Sequence, residues 1–336
     1  MRPLGVVIAG LLAFAAVLHA QDLSVGQNGA YRVNVRLVMV DAQVIDKKTH
    51  QIVGSLKPDD VEIYEDGVRQ SISTFSQDEL PLSVILLFDL TDSVRPVLKP
   101  LAQGAQKALG HLKPQDEVAV MVYAAAARVI QDFTTDRELA AAAIDRASRM
   151  ESAEAAFFNE AIFRAADHLA QSAAANNRRV IIWLTDDVPN IPSDEVRARY
   201  GRELGNAPLH TEKQAMEHLF RTGTVVCTLL KKSEISDSED SRRDATKIIG
   251  RMLYPPGEAS KYSQASGGQV VESSSKKLPL RLADLIDDIR LRYTVGYRPP
   301  AAKPQGRFCA IKVKLAPEAR KSYRDAVVEA KQGYYR

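Results

Sequence analysis

Between residues 31 and 80 the apolar residues keep a two-residue period. Val33, Val35, Leu37 and Met39 recur at every second position, which predicts a strand with that face buried. Lys47-Lys48 interrupts it, and further strands are expected around Gln51–Val53, over Val61–Tyr64 and over Val68–Phe75. Glu65-Asp66-Gly67 lies between the last two and reads as a hairpin turn, because Asp-Gly tolerates the positive φ angles of a tight turn. Short strands without a helix predict one half of a small β-sandwich.

From Pro81 the pattern changes. Val84, Ile85, Leu86, Leu87 and Phe88 form an unbroken apolar run, the mark of a strand covered on both faces. Helical stripes then alternate with such runs. Val94–Leu112 carries Leu98, Leu101, Ala105, Ala108, Leu109 and Leu112 on one face. Helices are predicted over 137–150, 155–174, 212–221, 242–253 and 280–291. Strands are predicted over 117–123, 128–133, 179–184, 224–230 and 269–272. Residues 292–336 return to β, with strands over 293–297, 308–315 and 326–330. The fold class is therefore α/β, a doubly wound and mostly parallel sheet (81–291), inserted in a small β-sandwich built from both chain ends (31–80 and 292–336).

Composition changes this picture little. The chain has 336 residues, 45% hydrophobic and 26% charged, with a net charge of +3, so neither disorder nor a nucleic-acid or membrane surface is indicated. Residues 1–20 read as a signal peptide: Arg2, an apolar run from Leu4 to Val17, then Ala20 before polar Gln21-Asp22. The expected location is periplasmic or extracellular, with no stable membrane insertion after cleavage. Two cysteines, Cys227 and Cys309, sit in apolar strand contexts and read as buried free thiols rather than a disulfide framework. His210 and His218 lie on or near one helix without an H-E-x-x-H or C-x-x-C partner, so they read as solvent-facing and not as zinc ligands.

The chemistry concentrates where the first buried strand ends. Ligands of open α/β sheets bind outside the carboxyl ends of the strands. There Asp89, Thr91, Asp92 and Ser93 offer oxygen ligands only, which suits a hard divalent cation such as Mg²⁺ or Ca²⁺. Capping of the following helix is the plainer use of Asp89 and Ser93.

Asp89-Leu90-Thr91-Asp92-Ser93 after a buried strand resembles the D-x-[ST]-x-S loop of von Willebrand factor A domains, and Val180–Asp187 resembles their strand ending in Thr-Asp. Val38–Val44, Leu56–Gly67, Phe75–Asp78, Arg292–Tyr297 and Gly333–Tyr335 are similar to the secreted VWFA-related family common in acidobacteria, and the likeness spans residues 31 to 336. It implies a metal site of Asp89, Thr91, Ser93 and Asp186. In it Thr91 and Ser93 bind the ion directly, Asp89 through water and Asp186 as an outer ligand. It also implies a non-catalytic adhesion or assembly module that binds a protein partner through an acidic side chain.

The sequence departs from the family in two places. Ala155-Ala156 stands where the family has Gly-Thr, whose Thr binds the ion, and Asp187 stands where it has Gly. Two alternatives follow: an interaction protein whose ion site has decayed, and a haloacid-dehalogenase-like phosphatase, whose D-x-D-x-T loop Asp89-Leu90-Thr91 matches without its second carboxylate.

Overall fold

The computed structural model describes residues 37–49, 51–124, 126–151, 156–171, 174, 176–187, 210–231, 259–300 and 304–336. The expected signal segment, Val33, Val35, Ala155 and the expected helix over 242–253 lie outside the described residues.

The unbroken apolar run is the middle of the molecule. β5 (Leu82–Asp89) is buried at all eight positions, between β6 (Glu117–Tyr123) and β8 (Arg178–Thr185), both parallel to it. Outward from β8 follow β9 (Val225–Lys231) and β10 (Val270–Ser273), also parallel. β7 (Ala127–Thr134) pairs antiparallel on β6 and closes the other edge. Alternate side chains of β5 enter different cores, as the two-residue period requires. Leu82, Val84, Leu86 and Phe88 pack on α1 (Arg95–Leu109), α2 (Arg137–Ser148) and α6 (Leu278–Arg290). Ile85 and Leu87 pack with α3 (Phe158–Ala170), α4 (Glu212–Thr222) and α5 (Ala259–Ser266).

Local chemistry sets the ends. The Asp136 carboxylate caps α2 by accepting from the amides of Glu138 and Leu139. Thr211 and Gln214 form a reciprocal capping box on α4. The predicted stripe of α1 is buried as expected, and Pro96 falls in its first turn.

The strands of the two chain ends pair with one another in two antiparallel sheets. One has the order β13 (Ala326–Ala330), β1 (Val38–Asp46), β11 (Tyr293–Tyr297), β4 (Ile72–Gln77). The other has the order β14 (Gly333–Tyr335), β12 (Phe308–Leu315), β2 (Val61–Glu65), β3 (Val68–Gln70). A shared core lies between them, with Val40, Val44, Val295 and Tyr297 from the first sheet and Ile63, Cys309, Val313 and Tyr334 from the second. The β2–β3 turn is made by Asp66 and Gly67, both at positive φ (48° and 82°), as the Asp-Gly pair predicts.

Three expectations are corrected. The buried face of β1 is the even one, Val38, Val40, Ala42 and Val44, and Leu37 is 37% exposed. The odd face carries Asp41, which ion-pairs with Arg178 of β8 at 2.9 Å, so this face turns toward the α/β layer rather than the sandwich core. Val68–Phe75 is not one strand: β3 pairs with β2 and β4 with β11, so the chain changes sheets at Ser71. Gln51–Val53 contributes only an isolated bridge, Ile52 to Ile45. Two helices had no apolar stripe to announce them, α5 and α7 (Pro317–Ser322). In α5 the buried positions include Ser263 and Ser266. Their hydroxyls meet Thr228 Oγ1 at 2.8 Å and the Val226 amide at 2.9 Å. A polar helix can be buried there because β9 supplies the partners.

Candidate functional site

β5 delivers Asp89 to the carboxyl end of the central sheet with no exposed surface. Its Oδ1 accepts the Thr91 amide at 2.8 Å, closing a tight turn. Its Oδ2 accepts the Tyr123 hydroxyl at 2.9 Å, and the Thr185 hydroxyl is 3.5 Å from the same oxygen. Tyr123 comes from the adjacent strand β6 at the register position facing Asp89. The Tyr123 oxygen in turn accepts the Trp183 indole N–H of β8 at 2.9 Å. A buried relay therefore runs Trp183 to Tyr123 to Asp89.

The turn then brings two hydroxyls together. Thr91 Oγ1 and Ser93 Oγ are 3.2 Å apart, with Thr91 buried and Ser93 exposed. Asp92 points out and is exposed. Beyond β8 come Asp186 and Asp187, both half-buried. Asp187 sits at φ 60°, its amide donates to Thr185 Oγ1 at 3.1 Å, and its Oδ1 accepts the Ala259 amide at 2.9 Å. On the rim, Lys231 Nζ donates to the Ser93 carbonyl at 2.7 Å.

Burial pushes the Asp89 carboxyl up to about 6, and the charge of Asp186 pushes the same way. The Thr91 and Tyr123 hydrogen bonds pull it down without cancelling the rise. Burial, with the Asp89 charge beside it, also raises the Tyr123 hydroxyl well above its ordinary range, so it stays a donor.

Of the expected ligands, Asp89, Thr91 and Ser93 thus share one turn, and Asp186 stands close enough for its charge to act on Asp89. This oxygen-only set fits a hard divalent cation, since a desolvated carboxylate beside a second carboxylate gains most from a positive ion. One arm is missing. Ala156 is fully buried and brings no hydroxyl. Sequence reasoning did not find Tyr123 and Trp183. Within an apolar strand each reads as core, and only the parallel register shows that Tyr123 faces Asp89.

His210 and His218 are half-buried rather than solvent-facing. Both rings stack on Phe163 of α3, at 3.4 and 4.3 Å between centroids. His210 Nδ1 is 2.7 Å from Glu160, and His218 Nε2 is 3.4 Å from Asp167. Cys227 and Cys309 are free and buried, as expected. Among the described residues, Glu65, Asp66 and Cys309 form one further group with ligand-type atoms within 4.8 Å. Glu65 Oε2 there already accepts the hydroxyls of Tyr297 at 2.5 Å and Tyr334 at 3.1 Å.

A family model described as von Willebrand factor type A domain matches residues 84–188. No curated protein matches the chain. Among solved structures, the chain is similar to a von Willebrand factor type A protein from Catenulispora acidiphila. That pair shares 11% identity, with 76% of this chain and 70% of the other covered and a TM-score of 0.42. It is similar to an aerotolerance-related membrane protein from Bacteroides fragilis, at 17% identity, 61% and 98% coverage and a TM-score of 0.38. It is also similar to the von Willebrand factor domain of a type V pilus tip protein from Porphyromonas gingivalis, at 11% identity, 63% and 94% coverage and a TM-score of 0.37.

Proposed function

We propose that this chain, which carries a von Willebrand factor type A domain over residues 84–188, is an exported, non-catalytic protein-binding module. It takes a divalent cation, Mg²⁺ or Ca²⁺, in the loop after β5, and an acidic side chain of a protein partner completes the coordination. Thr91 and Ser93 supply hydroxyls, and Asp89 and Asp186 supply the negative charge. The observation that carries the reading is the pairing of a fully buried Asp89 with the two hydroxyls of its own turn, one buried and one open to solvent. The open side is where a partner carboxylate enters, and Lys231 adds a positive charge at that rim. Export is supported by the leader-like pattern of residues 1–20. Among the described residues no helix is long and apolar enough to cross a membrane.

A second reading, a cation-independent interaction protein, is favoured by two observations. Ala156 brings no hydroxyl, and Tyr123 already occupies Asp89 Oδ2. Phosphoryl transfer finds less support, because Thr91 stands where the second loop carboxylate would be, with its hydroxyl turned to Ser93.

Terbium, a luminescent stand-in for Ca²⁺, separates the first two. With Tyr123 and Trp183 next to the loop, excitation of the aromatic band lights a bound lanthanide. The proposal requires saturable emission that Ca²⁺ or Mg²⁺ displaces and Asp89→Asn abolishes. Emission absent from the wild type, or equal in the variant, favours the cation-independent reading.

A further inference from the structure

The opposite end of the parallel strands holds charge that the Asp89 loop does not use. β8 opens with two consecutive arginines, and Arg178 pairs with Leu82, the first residue of β5. Asp89 lies seven residues further along β5, about 23 Å away at the usual rise of a strand. At this end the central sheet meets β1 and β11, and a cavity of about 470 Å³ opens between them. Arg178, Arg179 and Lys331 line it, with Asp41 as the one carboxylate among its lining residues.

The donors here are incompletely used. Arg178 is 6% exposed; its Nε lies 2.9 Å from Asp41 Oδ1 and its Nη2 donates to the Ile289 carbonyl at 3.0 Å. Its Nη1 is buried without a hydrogen-bond partner among the described residues. Arg179 Nη1 donates to the Thr222 carbonyl at 2.8 Å, while its Nε is buried without a partner among the described residues. Burial pushes the Lys331 ammonium down to about 8 against the opposing pull of Asp41. Three cations against one carboxylate, in a half-enclosed space of low dielectric, favour the entry of negative charge.

We propose that this pocket binds a small oxyanion, a carboxylate-bearing molecule or a phosphate. The two arginines present guanidinium groups, whose planar forks match the oxygens of both. The volume suits a small molecule rather than a protein side. The site is separate from the cation loop and does not depend on it.

The test uses the full chain stripped of divalent cations over a chelating resin, with no soluble chelator present, which keeps the cation loop out of the measurement without adding a competing carboxylate. Inorganic phosphate is followed by ³¹P line broadening and citrate by calorimetry, each against potassium chloride at equal ionic strength. Saturable binding of either probe is expected, weakened at least tenfold in Arg179→Gln and in Lys331→Gln. Both replaced residues are half-buried, and Arg178 is left in place to hold Asp41 and the Ile289 carbonyl. A cooperative melt of each variant shows that it has folded. Phosphate binding alone identifies a phosphate ligand, and citrate binding alone a carboxylate. No saturable binding of either probe, or undiminished binding in both folded variants, overturns the proposal.

Discussion

The Tyr123 hydroxyl stands between two side chains, accepting the Trp183 indole N–H and donating to Asp89, each at 2.9 Å. The relay satisfies three buried polar groups at once. It also fixes the Asp89 carboxylate without any ion. With the Thr91 amide on Oδ1, both carboxylate oxygens of Asp89 have protein donors.

Tyr123→Phe removes the middle of that relay. The indole N–H loses its acceptor and Asp89 loses a donor, while the ring packing on Phe158 and Trp183 persists. The expected cost is about 1–3 kcal/mol in urea unfolding, because a buried donor is left unpaired. A variant as stable as the wild type shows that the relay contributes nothing.

Asp116 supports the other end of β5. Fully buried, it accepts the Leu82 amide at 2.8 Å and the Lys113 amide at 2.6 Å and contacts the Arg290 guanidinium. Asp116→Ala leaves a nearly buried arginine and two amides without this partner. A loss of about 3–5 kcal/mol is expected by chemical denaturation. A loss below 1 kcal/mol, roughly that of a surface ion pair, contradicts the assignment of this pair as buried.

In chelator the Asp89 carboxyl holds its proton to about 6 in the folded chain, against an ordinary value of 3.8. The folded state binds that proton more tightly, so the contribution favours folding below pH 4 and is lost as pH rises through 6. The loss amounts to about 2 kcal/mol between pH 4 and 7. Asp89→Asn does not titrate. The stability of the wild type relative to this variant should therefore decline by that amount over the window. A flat difference from pH 4 to 7 contradicts the burial-driven shift.

Cys227 lies on β9 in the α/β core and Cys309 on β12 in the sandwich core, both fully buried. Burial also raises the Cys227 thiol. Both thiols are expected to stay silent toward a thiol reagent in the folded protein and to react on unfolding. Rapid labelling of either under native conditions contradicts the packing.

The central sheet was legible because a strand covered on both faces has no polar side to disguise it. β5 and the stripe of α1 follow directly from their apolar residues. The Asp89, Thr91 and Ser93 turn was legible as a cluster of oxygen-bearing residues at a strand end, although that pattern alone did not separate a ligand loop from plain helix capping. β1 was harder. Its two faces are both covered, one by the sandwich core and one in part by the α/β layer, so alternation alone does not say which is which. Asp41 belongs to the face that Arg178 meets. α5 was invisible because serines filled its buried side, and the partners that make this tolerable come from β9, some 30 residues earlier in the chain. The Tyr123 relay and the Arg178 pocket depend on strand register and on contact between layers, which no local window carries.

The cation is the central claim, and a thermal melt tests it most directly. The full chain and Asp89→Asn are melted at pH 7.5 in EDTA, then with Mg²⁺ or Ca²⁺ at matched ionic strength. A ligand that binds only the folded state must raise the midpoint, by roughly 2.7 kcal/mol in stability at a hundredfold excess over its Kd. The account predicts that one of the two ions raises the wild-type midpoint by several degrees and leaves the variant where it was. Midpoints unmoved by either ion, or moved equally in both proteins, contradict it.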